Sequence, residues 1–176
     1  MGDEGLGVRP LVLVVMGVSG AGKSTVGTLL AARLGWDFAE GDALHPAENI
    51  ARMAGGHPLT DADRAQWLAR VAEWIEAHTG ADQPGIITCS ALKRSYRDRL
   101  RGERVLFVLL AGTAEVIAAR LAGRRGHFMP AALLGSQFAA LEPPGPDENA
   151  IVVDTAGGAA TACEDIVRQL RCRQAG

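Results

Sequence analysis

The sequence is poor in cysteine, with only Cys89, Cys163 and Cys172 among 176 residues. The three cannot all pair with one another, and none stands in a Cys-x-x-Cys spacing. Neither a disulfide framework nor a zinc ribbon is therefore expected, and a reducing, cytoplasmic setting fits. Aromatic residues make up 5% of the chain, too few to build a stacking platform for single-stranded bases. Charge of one sign is not in surplus: the net value is -2. That removes the global basic field of a nucleic-acid or anionic-membrane protein. No run reaches the roughly 18 apolar residues that span a bilayer, and Leu11–Val15 is too short for the core of a signal peptide. No nucleic-acid partner and no membrane partner is expected.

What remains is the composition of a globular domain, 48% hydrophobic and 22% charged. The length suits one domain across 1–176, with a glycine-rich start, 1–9, expected to fray. Leu11–Met16, Ile86–Thr88, Val105–Leu110 and Ala150–Val153 read as strands, and Trp36–Ala39 as a weaker fifth. None alternates cleanly with polar residues, so both faces are expected to be covered, as in a parallel sheet. Helical patterns fall between them: Lys23–Leu34, Asp61–His78, and stretches near 93–101, 113–122, 130–141 and 159–171. Thr60 is placed to cap the longest, with Asp61 and Asp63 in its first turn. Alternation of strand and helix predicts an α/β fold.

Gly17–Ser24 reads GVSGAGKS and satisfies G-x-x-x-x-G-K-[ST] between a strand and a helix. Gly17, Val18, Ser19, Gly20, Ala21 and Gly22 supply a loop whose backbone N–H groups converge on phosphate oxygens. Lys23 reaches the β- and γ-phosphates, and Ser24 offers its hydroxyl to Mg²⁺, with Thr25 beside it. The helix N-terminus adds favourable dipole charge. ATP and Mg²⁺ are the implied cofactors. The motif alone leaves the phosphoryl acceptor open.

Further blocks follow in order: GDALHP at 41–46, PLTDADRAQWL at 58–68, CSALKRSYRDRLR at 89–101, RRGHF at 124–128 and QFAALE at 137–142. In this order and spacing the chain resembles the gluconate kinase family of small P-loop kinases, over about residues 11 to 170. The resemblance implies a nucleotide-kinase-like three-layer sandwich with a five-stranded parallel sheet and a mobile lid near 120–136. It implies ATP-dependent phosphorylation of D-gluconate to 6-phospho-D-gluconate, and a homodimer. A kinase of the same fold with another acceptor is the nearest alternative. Shikimate fits less well, because CSALK stands where a GGG-type turn would follow the third strand. A nucleotide-binding regulatory module is a second alternative, weakened by the intact Lys23, Ser24, Asp42 and Arg124.

Individual positions carry specific expectations. Asp42 closes the second strand, where a carboxylate can take the proton of an attacking hydroxyl, steady Mg²⁺ through water, or merely form an Asx-turn. His45 can donate a hydrogen bond to a substrate hydroxyl, and Asn49 and Met53, one turn apart, can line the same pocket. Arg64 suits bidentate grip of a sugar-acid carboxylate. Trp67 reads as pocket wall. Lys93 and Arg97, four apart, form a candidate cationic pair for the same carboxylate, Lys93 first. Cys89 reads as packing rather than nucleophile. By resemblance to nucleotide kinases, Arg120 stacks on adenine and Arg124 reaches the transferred phosphoryl. His127 enters with the lid, and Gln137 is a secondary candidate.

Overall fold

The computed structural model describes residues 12–123 and 131–174. Its chain runs β1 (Val12–Met16), α1 (Lys23–Leu34), β2 (Asp37–Glu40), a 3-10 turn (Gly41–Leu44), α2 (Ala47–Ala54) and α3 (Asp61–Gly80). It continues β3 (Gly85–Thr88), α4 (Arg94–Leu100), β4 (Val105–Ala111), α5 (Ala114–Ala122), α6 (Ala131–Ala140), β5 (Ala150–Asp154) and α7 (Ala159–Gln174). The expected strands and helices are all present, with ends moved by one to three residues. Leu11, expected to open the first strand, lies outside the described residues.

The five strands form one sheet in the order β2-β3-β1-β4-β5, and every neighbouring pair is parallel. Two cores explain the missing alternation. On β1, Leu13 and Val15 point into one core with Val26 and Leu30 of α1 and Ile166, Val167 and Leu170 of α7. Val12, Val14 and Met16 point into the other, with Trp67, Leu68, Val71 and Ile75 of α3 and Tyr96 and Leu100 of α4. A strand buried on both faces has no face to leave polar. β2, the weaker strand of the sequence, is an edge strand and only half-buried.

This strand order places the site. From β1 the chain goes out to the edge at β2 and returns through β3. It then crosses to the other side of β1 to make β4. The loop leaving β1 thus opens at the point where the connections diverge, which is where open parallel sheets bind ligands. α3 begins sharply nearby. The Thr60 hydroxyl accepts from the Asp63 N–H at 3.2 Å, and the Asp63 carboxylate accepts from the Thr60 N–H at 2.9 Å. This reciprocal capping box satisfies two otherwise orphaned donors.

Candidate active site

The loop Gly17–Gly22 joins β1 to α1 as the motif requires. Gly20 has φ +81°, and a Cβ there would stand 2.8 Å from Leu121, so the turn needs glycine on both counts. The Lys23 ammonium curls over the loop and donates to the Gly17 and Val18 carbonyls, each at 3.0 Å. Ser24 and Thr25 are exposed on the first turn of α1.

Asp42 is held by its neighbours' backbone contacts. Glycine at 41 is obligatory, because a Cβ would overlap the Thr88 carbonyl oxygen of β3. The Gly41 N–H donates to the Thr88 hydroxyl at 3.2 Å, and the Trp67 indole donates to the Gly41 carbonyl at 2.8 Å. The Thr88 hydroxyl in turn donates to Glu40 at 2.8 Å. The 3-10 turn is thus pinned at its first residue, which fixes the backbone from which Asp42 projects.

Ser19, Lys23, Asp42, His45, Arg64 and Trp67 line one cleft of about 290 Å³, together with Ser90, Leu92 and Gln137. A larger hollow of about 410 Å³ lies between the end of α3 and the turn before β4. None of its lining residues comes from the P-loop, and it sits at the opposite edge of the sheet from the strand ends that bind ligands. His45 is buried and stacks on Trp67, ring centroids 4.2 Å apart. Burial holds its imidazole below the ordinary pKa; Asp42 pulls it up and Arg64 pushes it down. Arg64 donates to the Leu59 carbonyl at 2.6 Å and to the Tyr96 hydroxyl at 3.3 Å, both through one terminal nitrogen. Its guanidinium carbon lies 5.6 Å from the centroid of the Tyr96 ring, and its other nitrogens have no hydrogen-bond partner among the described residues.

The expected Lys93–Arg97 pair is not formed. Lys93 is the N-cap of α4 with extended backbone, φ -94° and ψ 145°; its carbonyl accepts from the Arg97 N–H at 3.3 Å, but the two side chains part. Its ammonium pairs with Asp61 at 3.2 Å on the cleft's outer rim. The Tyr96 hydroxyl also donates to Asp61. Those two contacts, Tyr96 first, hold the Asp61 carboxyl below its usual range. Arg97 turns inward and is 1% exposed. It meets Glu148 through two nitrogens at 2.7 and 3.1 Å and donates to the Ala91 and Leu92 carbonyls at 3.0 and 3.2 Å. Every guanidinium nitrogen is committed, so Arg97 is a strut under the turn after β3 rather than a substrate ligand. The strut has a purpose: Ala91 is buried with a left-handed φ of +43°, a strained conformation for alanine. No local pattern signals this, since Glu148 lies 51 residues further on.

Gln137 is the reverse case, a secondary candidate that the structure brings to the P-loop. Its side-chain carbonyl accepts from the Ser19 N–H at 2.7 Å, and its amide donates to the Ser19 hydroxyl at 3.1 Å. Arg120, at the end of α5, donates to the Thr155 carbonyl just beyond β5. Arg124 and His127 lie outside the described residues. Cys89 is fully buried, and burial pushes its thiol up to about 12, so it carries no thiolate at neutral pH. Among the described residues no three His, Cys, Asp or Glu side chains gather to hold a metal. That fits Mg²⁺, which uses one or two protein groups and takes its other ligands from phosphate and water.

A P-loop at the switch point of a parallel sheet, facing a carboxylate, an imidazole and a partly unpaired guanidinium, defines a small P-loop kinase. The sequence profile of the shikimate kinase family matches residues 19–140. The gluconokinase of Gluconobacter oxydans is 51% identical over 168 residues, 94% of each chain. A crystal structure of a gluconokinase from Sinorhizobium meliloti superposes with TM-score 0.85 at 45% identity, covering 92% of each chain. A sugar kinase from Janibacter superposes with TM-score 0.86 at 50% identity, covering 92% of this chain and 94% of that one. The chain belongs to the gluconokinase family.

Proposed function

We propose that this kinase transfers the γ-phosphoryl group of ATP to the primary hydroxyl of D-gluconate, giving 6-phospho-D-gluconate and ADP. The observation that carries this reading is the single cleft in which Asp42 and Arg64 face Lys23 of the P-loop. Arg64 takes the substrate carboxylate, with its uncommitted guanidinium edge turned to that anion. His45 donates to a substrate oxygen. Asp42 accepts the proton of the primary hydroxyl as its oxygen bonds to the γ-phosphorus. The bond from that phosphorus to the β–γ bridging oxygen breaks, and ADP leaves with the bridging oxygen. Lys23 follows the β- and γ-phosphates by exchanging its contacts with the Gly17 and Val18 carbonyls for phosphate oxygens.

Ser24 is the protein's share of a Mg²⁺ site. When bound, the ion neutralises charge on the phosphate oxygens. Arg120 is assigned to the adenine, and Arg124 and His127 to a lid closing over the transferred group, by resemblance to related kinases. Lys93 is kept at the rim, within reach of the substrate carboxylate if Asp61 releases it. The family also suggests a homodimer, which light scattering tests. A cytoplasmic location accords with Cys89, Cys163 and Cys172 all being free thiols. No helix among the described residues is long and apolar enough to cross a membrane.

The test is ADP release from ATP and Mg²⁺ with D-gluconate, other sugar acids, shikimate, nucleoside monophosphates and water alone. A large gluconate-dependent rate is expected. ATP binding with no gluconate-dependent rate overturns the assignment.

A further inference from the structure

Asn49 of α2 makes two contacts that together decide where the proton of His45 sits. Its side-chain nitrogen donates to the Asp63 carbonyl of α3 at 2.8 Å. A carbonyl only accepts, so this contact fixes which end of the amide is NH₂. The same nitrogen stands 3.3 Å from Nδ1 of His45. Its second hydrogen is directed there, so Nδ1 must present a lone pair. A neutral imidazole with a bare Nδ1 carries its hydrogen on Nε2. Nε2 has no protein partner among the described residues, yet it is not sealed from solvent, and His45 lines the cleft. Asn49 is 5% exposed and His45 is 7% exposed, so bulk water does not scramble the arrangement. The Trp67 stack holds the ring plane.

We propose that Asn49 is a positioning residue that locks His45 as the Nε2–H tautomer, aiming a hydrogen-bond donor at an acceptor oxygen of the substrate. The proposal deepens the sugar-acid kinase reading and rests on it for the identity of that oxygen. The tautomer itself does not depend on the substrate. The charged groups facing the ring are Asp42 from the 3-10 turn and Arg64 from α3. Neither supplies the contact at Nδ1, which among the described residues is made by Asn49 alone.

A lock of this kind has a pH signature. In the wild type Nε2 carries a hydrogen whether the ring is neutral or protonated, so loss of a proton from His45 puts no alkaline limb on gluconate use. In Asn49→Asp, a carboxylate accepts from Nδ1–H instead. The neutral ring then offers a bare Nε2 to the substrate, while the protonated ring still donates. kcat/KM for gluconate therefore gains a fall on the alkaline side, through the raised pKa of His45.

The experiment is long-range ¹H–¹⁵N correlation of the imidazoles in the full, unliganded chain, with His45 assigned by loss of its signals in His45→Gln. Wild type should show an unprotonated Nδ1 and a protonated Nε2 at neutral pH. Asn49→Asp should show the reverse, together with the new alkaline fall in kcat/KM. Asn49→Ala, which only removes the donor, should raise KM for gluconate about fivefold with KM for ATP unchanged, the scale of one neutral hydrogen bond. A wild-type Nδ1–H tautomer overturns the proposal even if no variant folds. So does an Asn49→Ala ring that keeps a pure Nε2–H form. If wild type shows no gluconate-dependent rate but the expected tautomer, the substrate assignment fails and the lock stands.

Discussion

Gln137 and Ser19, separated by 118 positions in sequence, are joined by two hydrogen bonds, 2.7 Å from the Ser19 N–H and 3.1 Å to its hydroxyl. The contact ties α6, which begins within the segment assigned to the lid, to the tip of the P-loop. Gln137→Ala removes both bonds at the edge of the phosphate site. KM for ATP should rise about fivefold to tenfold, given roughly 1 kcal/mol per bond and partial replacement by water. KM for gluconate should change less. Steady-state kinetics with each substrate varied in turn checks this. An unchanged KM for ATP would mean that the tie is broken anyway when nucleotide binds.

Asp42 carries the sharpest mechanistic expectation. Its backbone is fixed through Gly41 by Thr88 and Trp67, so Asp42→Asn should keep the fold and lose the base. Turnover should drop by about 10² to 10⁴, while ATP still binds within a few-fold of wild type. Turnover within a few-fold of wild type would remove Asp42 from the chemistry and leave positioning and charge neutralisation as the source of rate.

Arg64 and Lys93 divide a role that the sequence left shared. Arg64 lines the cleft with part of its guanidinium uncommitted, whereas Lys93 is engaged by Asp61 at the rim. Arg64→Ala should raise KM for gluconate about tenfold to a hundredfold, the range for a charged hydrogen bond. Arg64→Lys should recover little, because a point charge does not replace a planar fork. Lys93→Ala should cost less than either. If Lys93→Ala is the more damaging change, the carboxylate lies nearer the rim than proposed.

The fold was readable because its signals are local. β1 is uniformly apolar, the phosphate loop has its glycines at fixed spacing, and Thr60 with Asp63 announces the start of α3. The P-loop and the GD turn were readable for the same reason, since strand ends deliver them to one edge. Arg97 was not. In sequence it belongs to the basic run KRSYRDRLR, and nothing nearby says that one member of it turns inward. Its partner sits in the proline-rich loop before β5, and only the packing of α4 against that loop makes the pair. The tautomer of His45 was equally hidden, because it depends on where the Asp63 carbonyl falls, fourteen residues from the asparagine that reads it.

Arg97 and Glu148 are 1% and 5% exposed at their side chains, and the pair holds the strained turn at Ala91. Removing one partner of a buried pair leaves an uncompensated charge, so Arg97→Ala should cost about 3–5 kcal/mol of stability. The loss should exceed any effect on KM for gluconate measured at a temperature where the variant is folded. The pair also sets an acid limb. The hydrogen bonds from Arg97 hold the Glu148 carboxyl below its usual range, against the opposing effect of burial, with the Gly145 N–H assisting. A carboxyl whose pKa is depressed by folding stabilises the native state fully above its unfolded pKa. That contribution is lost as pH falls through the lower, folded value. Urea midpoints measured from neutral to acid pH should therefore fall more steeply for the wild type than for Glu148→Gln, which has no proton to take up. Asp61, Asp63 and Asp147 also have depressed values and act in both proteins, so the difference between the two curves isolates Glu148. Parallel curves would show that the pair gives the turn its shape without contributing charge-dependent stability.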